Sequence, residues 1–453
     1  MTDVALAADF TQEGFQAFLA ARNEPYWLSD LRAENWKLFS ELPLPDSSQE
    51  EWRRTDIRSF RLEKFGFPRL AASSTRLSSP KSAERPAIDG AAVPAALLSA
   101  GIDLAGSAIA VDSRPYGVQL DRMLGRQGVL FGSLDKLVID HGNLLRPYLL
   151  NPVVDPRADK FAALQAACWS GGALLWVPKG VVTDRPLHIL SVLSPEAVDL
   201  GRILIVLEEG AEATVLAETA SSDPAAAGLH CGAMEILVGP RGRLRLVSLQ
   251  NWGMGVWHFA HQKAMVDRDA SLQWTIGALG SRLAKVNQHV VMVGPGAQVQ
   301  VNGVMFTEGR QHLSYHTLQR HQQPRCTSDL LYKGALQDRS RIVWRGMIKV
   351  DPDAQKTDGY QRDDNLILSE NARADSIPGL EIQADDVKCS HGATAGRVDD
   401  EQVFYACARG LTRKEAVRMI VNGFFQQVFD RITIESVRHA LVEAIGKRIR
   451  EYE

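Results

Sequence analysis

Gly210-Ala211-Glu212-Ala213-Thr214-Val215 and Gly242-Arg243-Leu244-Arg245-Leu246 share one layout, a glycine turn followed by an alternating triplet, and that layout decides the fold. It recurs as Leu272-Gln273-Trp274 and, after Gly296, as Val299-Gln300-Val301, at intervals of about 27 to 31 residues. Ile342-Val343-Trp344 repeats the pattern at a larger offset. Alternation of period two marks a strand with two different faces. Further β-rich runs, such as Arg202 to Glu208, Glu235 to Val238 and His289 to Val293, are bounded by Gly, Asp, Asn or Pro. No long helical pattern separates these strands, as a doubly wound α/β sheet would require. One strand and turn cannot bury its own apolar face, whereas stacked copies bury each other's inner side chains. The chain is therefore expected to be mainly β, a right-handed parallel β-helix, with an antiparallel sandwich as the competing topology.

Outward from this core the period changes. Residues 10 to about 65 carry helical stripes, Phe15, Phe18 and Leu19, then Trp27, Leu28, Leu31, Trp36 and Phe39. From Ala71 to Pro86 the composition turns to Ser, Ala, Pro and charged residues, with too little apolar surface to offset the entropy of ordering. Beyond Gly410, Thr412 and Glu415 form a capping box. Val417, Ile420, Val421, Phe424 and Val428 follow as one apolar stripe, and Val437, Leu441, Ala444, Ile445 and Ile449 as a second. The expected organisation is a helical part (1–70), a linker or mobile loop (71–100), a β-helix core (101–405) and a helical tail (406–453). Two roles suit the tail, covering an open end of the solenoid or docking a partner.

The 453 residues carry 51 basic and 54 acidic side chains, which provides no electrostatic footprint for nucleic acid or anionic lipid. No apolar run is long enough to span a membrane. Asp3, Asp9 and Glu13 sit where a secretory or transit peptide would avoid acids, so a cytosolic setting is expected. Five cysteines, spread thinly, are expected to be reduced thiols. Phosphate-binding loops, dinucleotide fingerprints, nucleophile elbows, His-Glu-x-x-His and Cys-x-x-Cys are all missing. Asp363 with Asp364, and Asp399 with Asp400 and Glu401, read as solvated turns, because neighbours on a strand point to opposite faces. His312, His316, His321 and Cys326 read as strand packing. His258, His261, Cys168 and Trp169 read as core or interface, and Arg241, Arg243 and Arg245 as a solvated face.

The most chemically loaded stretch is Asp385-Asp386-Val387-Lys388-Cys389-Ser390-His391-Gly392-Ala393-Thr394. If extended, it puts Cys389 and His391 on one face with Cα atoms about 6.5 to 7 Å apart. A thiolate and an imidazole suit zinc, iron or an iron–sulfur species. Two ligands do not close a site, so another segment or subunit would have to complete it. The competing reading is a buried thiol and a hydrogen-bonded histidine.

This stretch, with Leu331-Tyr332-Lys333-Gly334, Lys356-Thr357-Asp358-Gly359, Leu380-Glu381-Ile382-Gln383-Ala384, Asp399-Asp400-Glu401-Gln402-Val403-Phe404-Tyr405 and Arg409-Gly410, resembles the SufB/SufD family of iron–sulfur cluster assembly proteins. Val177-Pro178-Lys179-Gly180-Val181 and Glu50-Glu51-Trp52-Arg53-Arg54-Thr55 add weaker likenesses. The Lys-Cys-Ser-His-Gly-Ala-Thr form is of the SufD type, whereas SufB has a Glu-containing motif there. SufB also carries a cysteine near the position that Asp363 occupies here.

The resemblance implies a noncatalytic scaffold subunit, with ATP hydrolysis left to a SufC partner. It places His391 and, beside it, Cys389 at a transient iron or nascent iron–sulfur cluster site shared with SufB across the β-helix edge, with no permanent cofactor. It assigns the C-terminal helices to SufC, and a homodimer of the isolated chain is a further possibility. The alternative from another class is a β-helix polysaccharide lyase or hydrolase, which needs clustered carboxylates or calcium in an open groove. A third reading is a spacer that holds SufB in register and binds nothing itself.

Overall fold

The computed structural model describes residues 9–68, 87–88, 91–92, 94 and 96–449, so most of the 71–100 linker expectation lies outside the described residues. Helices α1 (Gln12–Ala20) and α2 (Tyr26–Glu41) open the chain and pack through Phe15 and Trp36, stacked with ring centres 4.4 Å apart. The short antiparallel pair β1 (Ala87–Ile88) and β2 (Ala91–Ala92) is followed by the antiparallel pair β3 (Gly106–Val111) and β4 (Arg114–Leu120). A stretch that the sequence reading gave to the β-helix then proves helical in part. It holds α3 (Arg122–Arg126), α4 (Leu134–Asp140), α5 (Gly142–Leu150) and α6 (Lys160–Cys168), with β5 (Leu130–Ser133) between α3 and α4. Every residue of α6 except Lys160 is buried, so it has no amphipathic stripe to betray it.

Strands β6 (Ala173–Val177), β7 (Leu187–Leu193), β8 (Val198–Asp199) and β9 (Arg202–Leu207) begin a parallel β-solenoid of about eight turns. The first sheet continues through β10 (Glu212–Ser221), β12 (Arg243–Asn251), β14 (Ser271–Ala278), β16 (Gln298–Thr307), β18 (Thr327–Leu336), β20 (Asp358–Ile367) and β22 (Lys388–Arg397). The second takes the alternate strands β11 (Ala227–Val238), β13 (Gly255–Val266), β15 (Leu283–Met292), β17 (His312–His321), β19 (Arg341–Val350) and β21 (Arg373–Ile382). The repeats read from sequence are in register, Ala213, Leu244, Leu272 and Val299 forming one row inside the bore. The next member of that row is Ser328, whose hydroxyl meets His321 Nε2 at 2.9 Å, so a polar contact hides the repeat there. Ile342-Val343-Trp344 lies on β19 in the other sheet, which accounts for its larger offset.

Turns recur as regularly as strands. Gly210, Arg241, Asp269, Gly296, Arg325 and Lys356, each two residues ahead of a first-sheet strand, all have positive φ. Each donates its N–H to a carbonyl of the following turn, for example Arg241 to Arg268 at 2.8 Å and Arg325 to Gln355 at 2.9 Å. Only two of these six are glycines, so the turn was visible in sequence at those two. The left-handed residue of the second unit is Arg241, and not the Gly242 of the sequence pattern. Holding a side-chain-bearing residue there costs about 1–2 kcal/mol, offset by the turn-to-turn hydrogen bond.

The two ends of the solenoid differ. Antiparallel β4 and β5 terminate the sheets at one end; at the other, β21 and β22 are the last strands of their sheets. The C-terminal helices α7 (Asp400–Ala408), α8 (Arg413–Phe429) and α9 (Glu435–Arg448) do not cover that open end. They lie along the outer face of the first sheet, where Val417, Val421, Phe425, Leu441 and Ile445 pack with Leu249, Leu279, Val304, Phe306 and Leu331. The predicted capping box at Thr412 and Glu415 is formed. An apolar sheet face needed covering more than the polar end did. Phe425→Ala should therefore cost about 3–5 kcal/mol of stability, read as a lowered denaturation midpoint.

Candidate functional site

Cys389 and His391 lie on β22, facing the bore, with Gly359 and Gln361 beneath them on β20 in direct register. They diverge in environment. Cys389 is half-buried against Val387, Ile348, Val350, Ala354 and Ala384, and burial pushes its thiol up from the ordinary value. His391 is exposed, because no further strand stacks on β22 among the described residues.

A third group joins from a distant part of the chain. A Cβ added to Gly359 would sit 3.3 Å from Cys389 Sγ and 3.5 Å from His321 Nε2, so glycine leaves the space that the thiol and imidazole flank. Burial holds the His321 imidazole down at about 4, hence neutral, with Nε2 against Ser328 Oγ. His321 and Cys389 belong to different sheets, so no strand spacing could pair them.

Asp363 and Asp364 are not the solvated turns expected from sequence. Both are buried within β20 and point to opposite faces. Asp363 enters the bore, where it accepts from Ser376 Oγ at 2.5 Å and Asn365 Nδ2 at 2.7 Å, tying β20 to β21. Burial raises its carboxyl to about 7. Asp364 faces outward, accepting from Thr394 Oγ1 at 2.6 Å and paired with Arg362 and Lys333, and so fastens β22 to its neighbour. Asp399 is the N-cap of α7, accepting from Glu401 N.

The remaining histidines sort by face. His312 and His316 are on the outer side of β17, where His316 Nδ1 meets Glu51 Oε2 at 3.2 Å, and His321 is inside. His258 is a core residue receiving the Trp252 indole N–H, and His261 pairs with Asp159. The Glu50 to Thr55 stretch fastens the N-terminal part to the second sheet. There Glu51 reaches His316 and Arg345, Trp52 packs on Phe161 and Phe259, and Thr55 bonds Ser314. No three His, Cys, Asp or Glu side chains converge on a metal-sized space among the described residues.

Among the described residues, then, the chain is a parallel β-solenoid with one end uncovered and a thiol and an imidazole on its final rung. The family described as SUF system FeS cluster assembly, SufBD core domain, matches residues 191–424, from β7 into α8, and the chain belongs to it. Proteins named as iron–sulfur cluster assembly SufBD family members in Staphylococcus aureus and Staphylococcus epidermidis are each 27% identical to it over 419 residues. The matched region covers 91% of this chain and 88% of theirs. A role in iron–sulfur cluster assembly follows. No helix among the described residues is long and apolar enough to cross a membrane.

The Asp363 carboxyl carries a pH signature. With its proton held to about 7 in the folded chain and released near 4 in the unfolded one, its stabilisation is complete below pH 4 and is lost as pH rises to 7. Asp363→Asn should remove this decline and raise stability near neutral pH by on the order of 4 kcal/mol. Denaturant midpoints measured across pH 4.5 to 7.5 check the slope.

Proposed function

We propose that this chain is the SufD-type, noncatalytic subunit of an iron–sulfur assembly complex, covering its open β21–β22 end with SufB and lending His391 to a shared site for iron or a nascent cluster. The observation that carries the reading is an exposed imidazole on the last rung of an unpaired sheet. An edge strand presents unpaired N–H and C=O groups, and a partner strand added there would bring its own side chains opposite His391. Cys389 serves as a subsidiary donor, since its thiol must ionise in a half-buried, apolar setting.

SufC docks on the helical tail in this reading. Phe404, Tyr405 and Met419 are large, apolar and more than half exposed on α7 and α8, on a tail whose other face is committed to the first sheet. ATP hydrolysis remains the partner's. The polysaccharide-degrading alternative loses its support, since Asp363 and Asp364 are buried on opposite faces of one strand and cannot converge on a substrate.

Co-purification with SufB and SufC chains, followed by iron and sulfide quantification, tests the reading. His391→Ala should leave complex formation intact and lower cluster yield several-fold, with Cys389→Ser having a smaller effect; unchanged yield in the His391 variant refutes the site. Removing the tail after Gly410 would strip the outer sheet face, so the cleaner docking test is Phe404→Ser with Tyr405→Ser. That pair should abolish SufC capture while the melting temperature holds.

A further inference from the structure

Most of the solenoid bore is apolar, but one polar file runs along it. Gln262, Gln288 and Thr317 occupy the same row on β13, β15 and β17. Gly346 holds the next place on β19, where a Cβ would collide with the Gln361 amide and the Trp344 ring. Gln361 reaches that place from β20 and is in register with His391 on the final rung. Successive rungs are about 4.8 Å apart, so the file is continuous from mid-solenoid to the open end.

Polar groups on this file and on the bore rows beside it are left unsatisfied by the protein. Gln288 Nε2, Thr317 Oγ1, Gln319 Oε1, Trp344 Nε1, Gln361 Oε1 and Asp363 Oδ1 are all buried, and no protein group reaches them. Each would cost about 1–3 kcal/mol if left unpaired, and so many in one compartment require a ligand. Donors and acceptors are interspersed, which suits neither a cation nor an anion. Water satisfies both kinds. At its inner end the file meets a cavity of about 70 Å³ lined by Gln262, His230, His258 and Gln250. His230 is anchored there through Nδ1 to Asp199 at 2.8 Å, and Nε2 lies over Gly232, where a Cβ would strike it.

We propose that the bore holds a hydrogen-bonded chain of water from the His230 cavity to the open end of the solenoid, giving the buried N–H and O–H groups along it a route for proton exchange with the solvent at that end. Such a file of water lies within this chain alone and forms whether or not His391 meets iron.

Pulsed-X-ray hydroxyl-radical footprinting of the full chain tests for the water. Tyr332, bonded to Gln288 at 2.6 Å, and Trp344 are fully buried, as is Trp169, which packs outside the bore among Leu134, Leu174 and Leu204. Internal water should label Tyr332 and Trp344 several-fold faster than Trp169. Thr317→Val with Gln288→Leu fills the file with apolar atoms and should bring Trp344 down to the Trp169 rate. If that pair does not fold, Thr317→Val alone should lower it in part. Equal labelling of the three residues in the wild type, or labelling undiminished in a folded variant, overturns the proposal. Proton traffic is read separately, by deuterium exchange of the indole N–H groups in NMR. Trp344 should exchange well ahead of Trp274, whose N–H is bonded to Ser248; exchange of both only at the rate of global unfolding rejects the route.

Discussion

Parallel, in-register stacking of each turn on the one before is the constraint from which the rest follows. It is enforced twice. The strands pair residue for residue along both sheets, and the left-handed residue ahead of each first-sheet strand, from Gly210 to Lys356, donates its N–H to the next turn. A slip of one residue would turn every bore side chain outward and break the turn ladder as well. Position in the repeat therefore fixes what each side chain meets, and the chemistry of a turn is inherited from its place in a row.

Much of this was legible in the sequence, and the failures have physical causes. Apolar rows such as Ala213, Leu244, Leu272 and Val299 announce themselves because the bore demands apolar alternation. The pattern fades at Ser328, Gln361 and Asp363, where a polar contact replaces the apolar one. Helix α6 escaped notice because it is buried on all sides. Asp363 and Asp364 look like turn residues in the sequence because paired acids are costly to bury. On one face Ser376 and Asn365 offset that cost only in part, and Asp363 holds its proton to about 7; on the other, Thr394, Arg362 and Lys333 partner Asp364.

The geometry of the candidate site was half legible. Cys389 and His391 two residues apart on a strand had to share a face, and a period near thirty puts Gly359 and Gln361 beneath them. His321 was beyond reach of such arithmetic, since it arrives from the opposite sheet and is recognised only through the space that Gly359 leaves. The placement of the helical tail was also beyond reach. Amphipathic stripes say that a helix must be buried on one side, but they do not say against what.

In the proposed role, the placement of the tail decides which donor acts first. With the tail spread over the side of the first sheet, no described residue stacks on the end rung and His391 is exposed, where an imidazole can bind a cation without prior rearrangement. Cys389, one alternation away, is tucked against Ile348 and Val350, and its thiol is held up by burial. Ionising it without a compensating charge is unfavourable; a cation already resting on His391 would supply that charge and draw the thiolate out. In the proposed role the two donors would therefore engage in sequence, imidazole first and thiolate second, an order set by the exposure of the imidazole and the burial of the thiol on one rung.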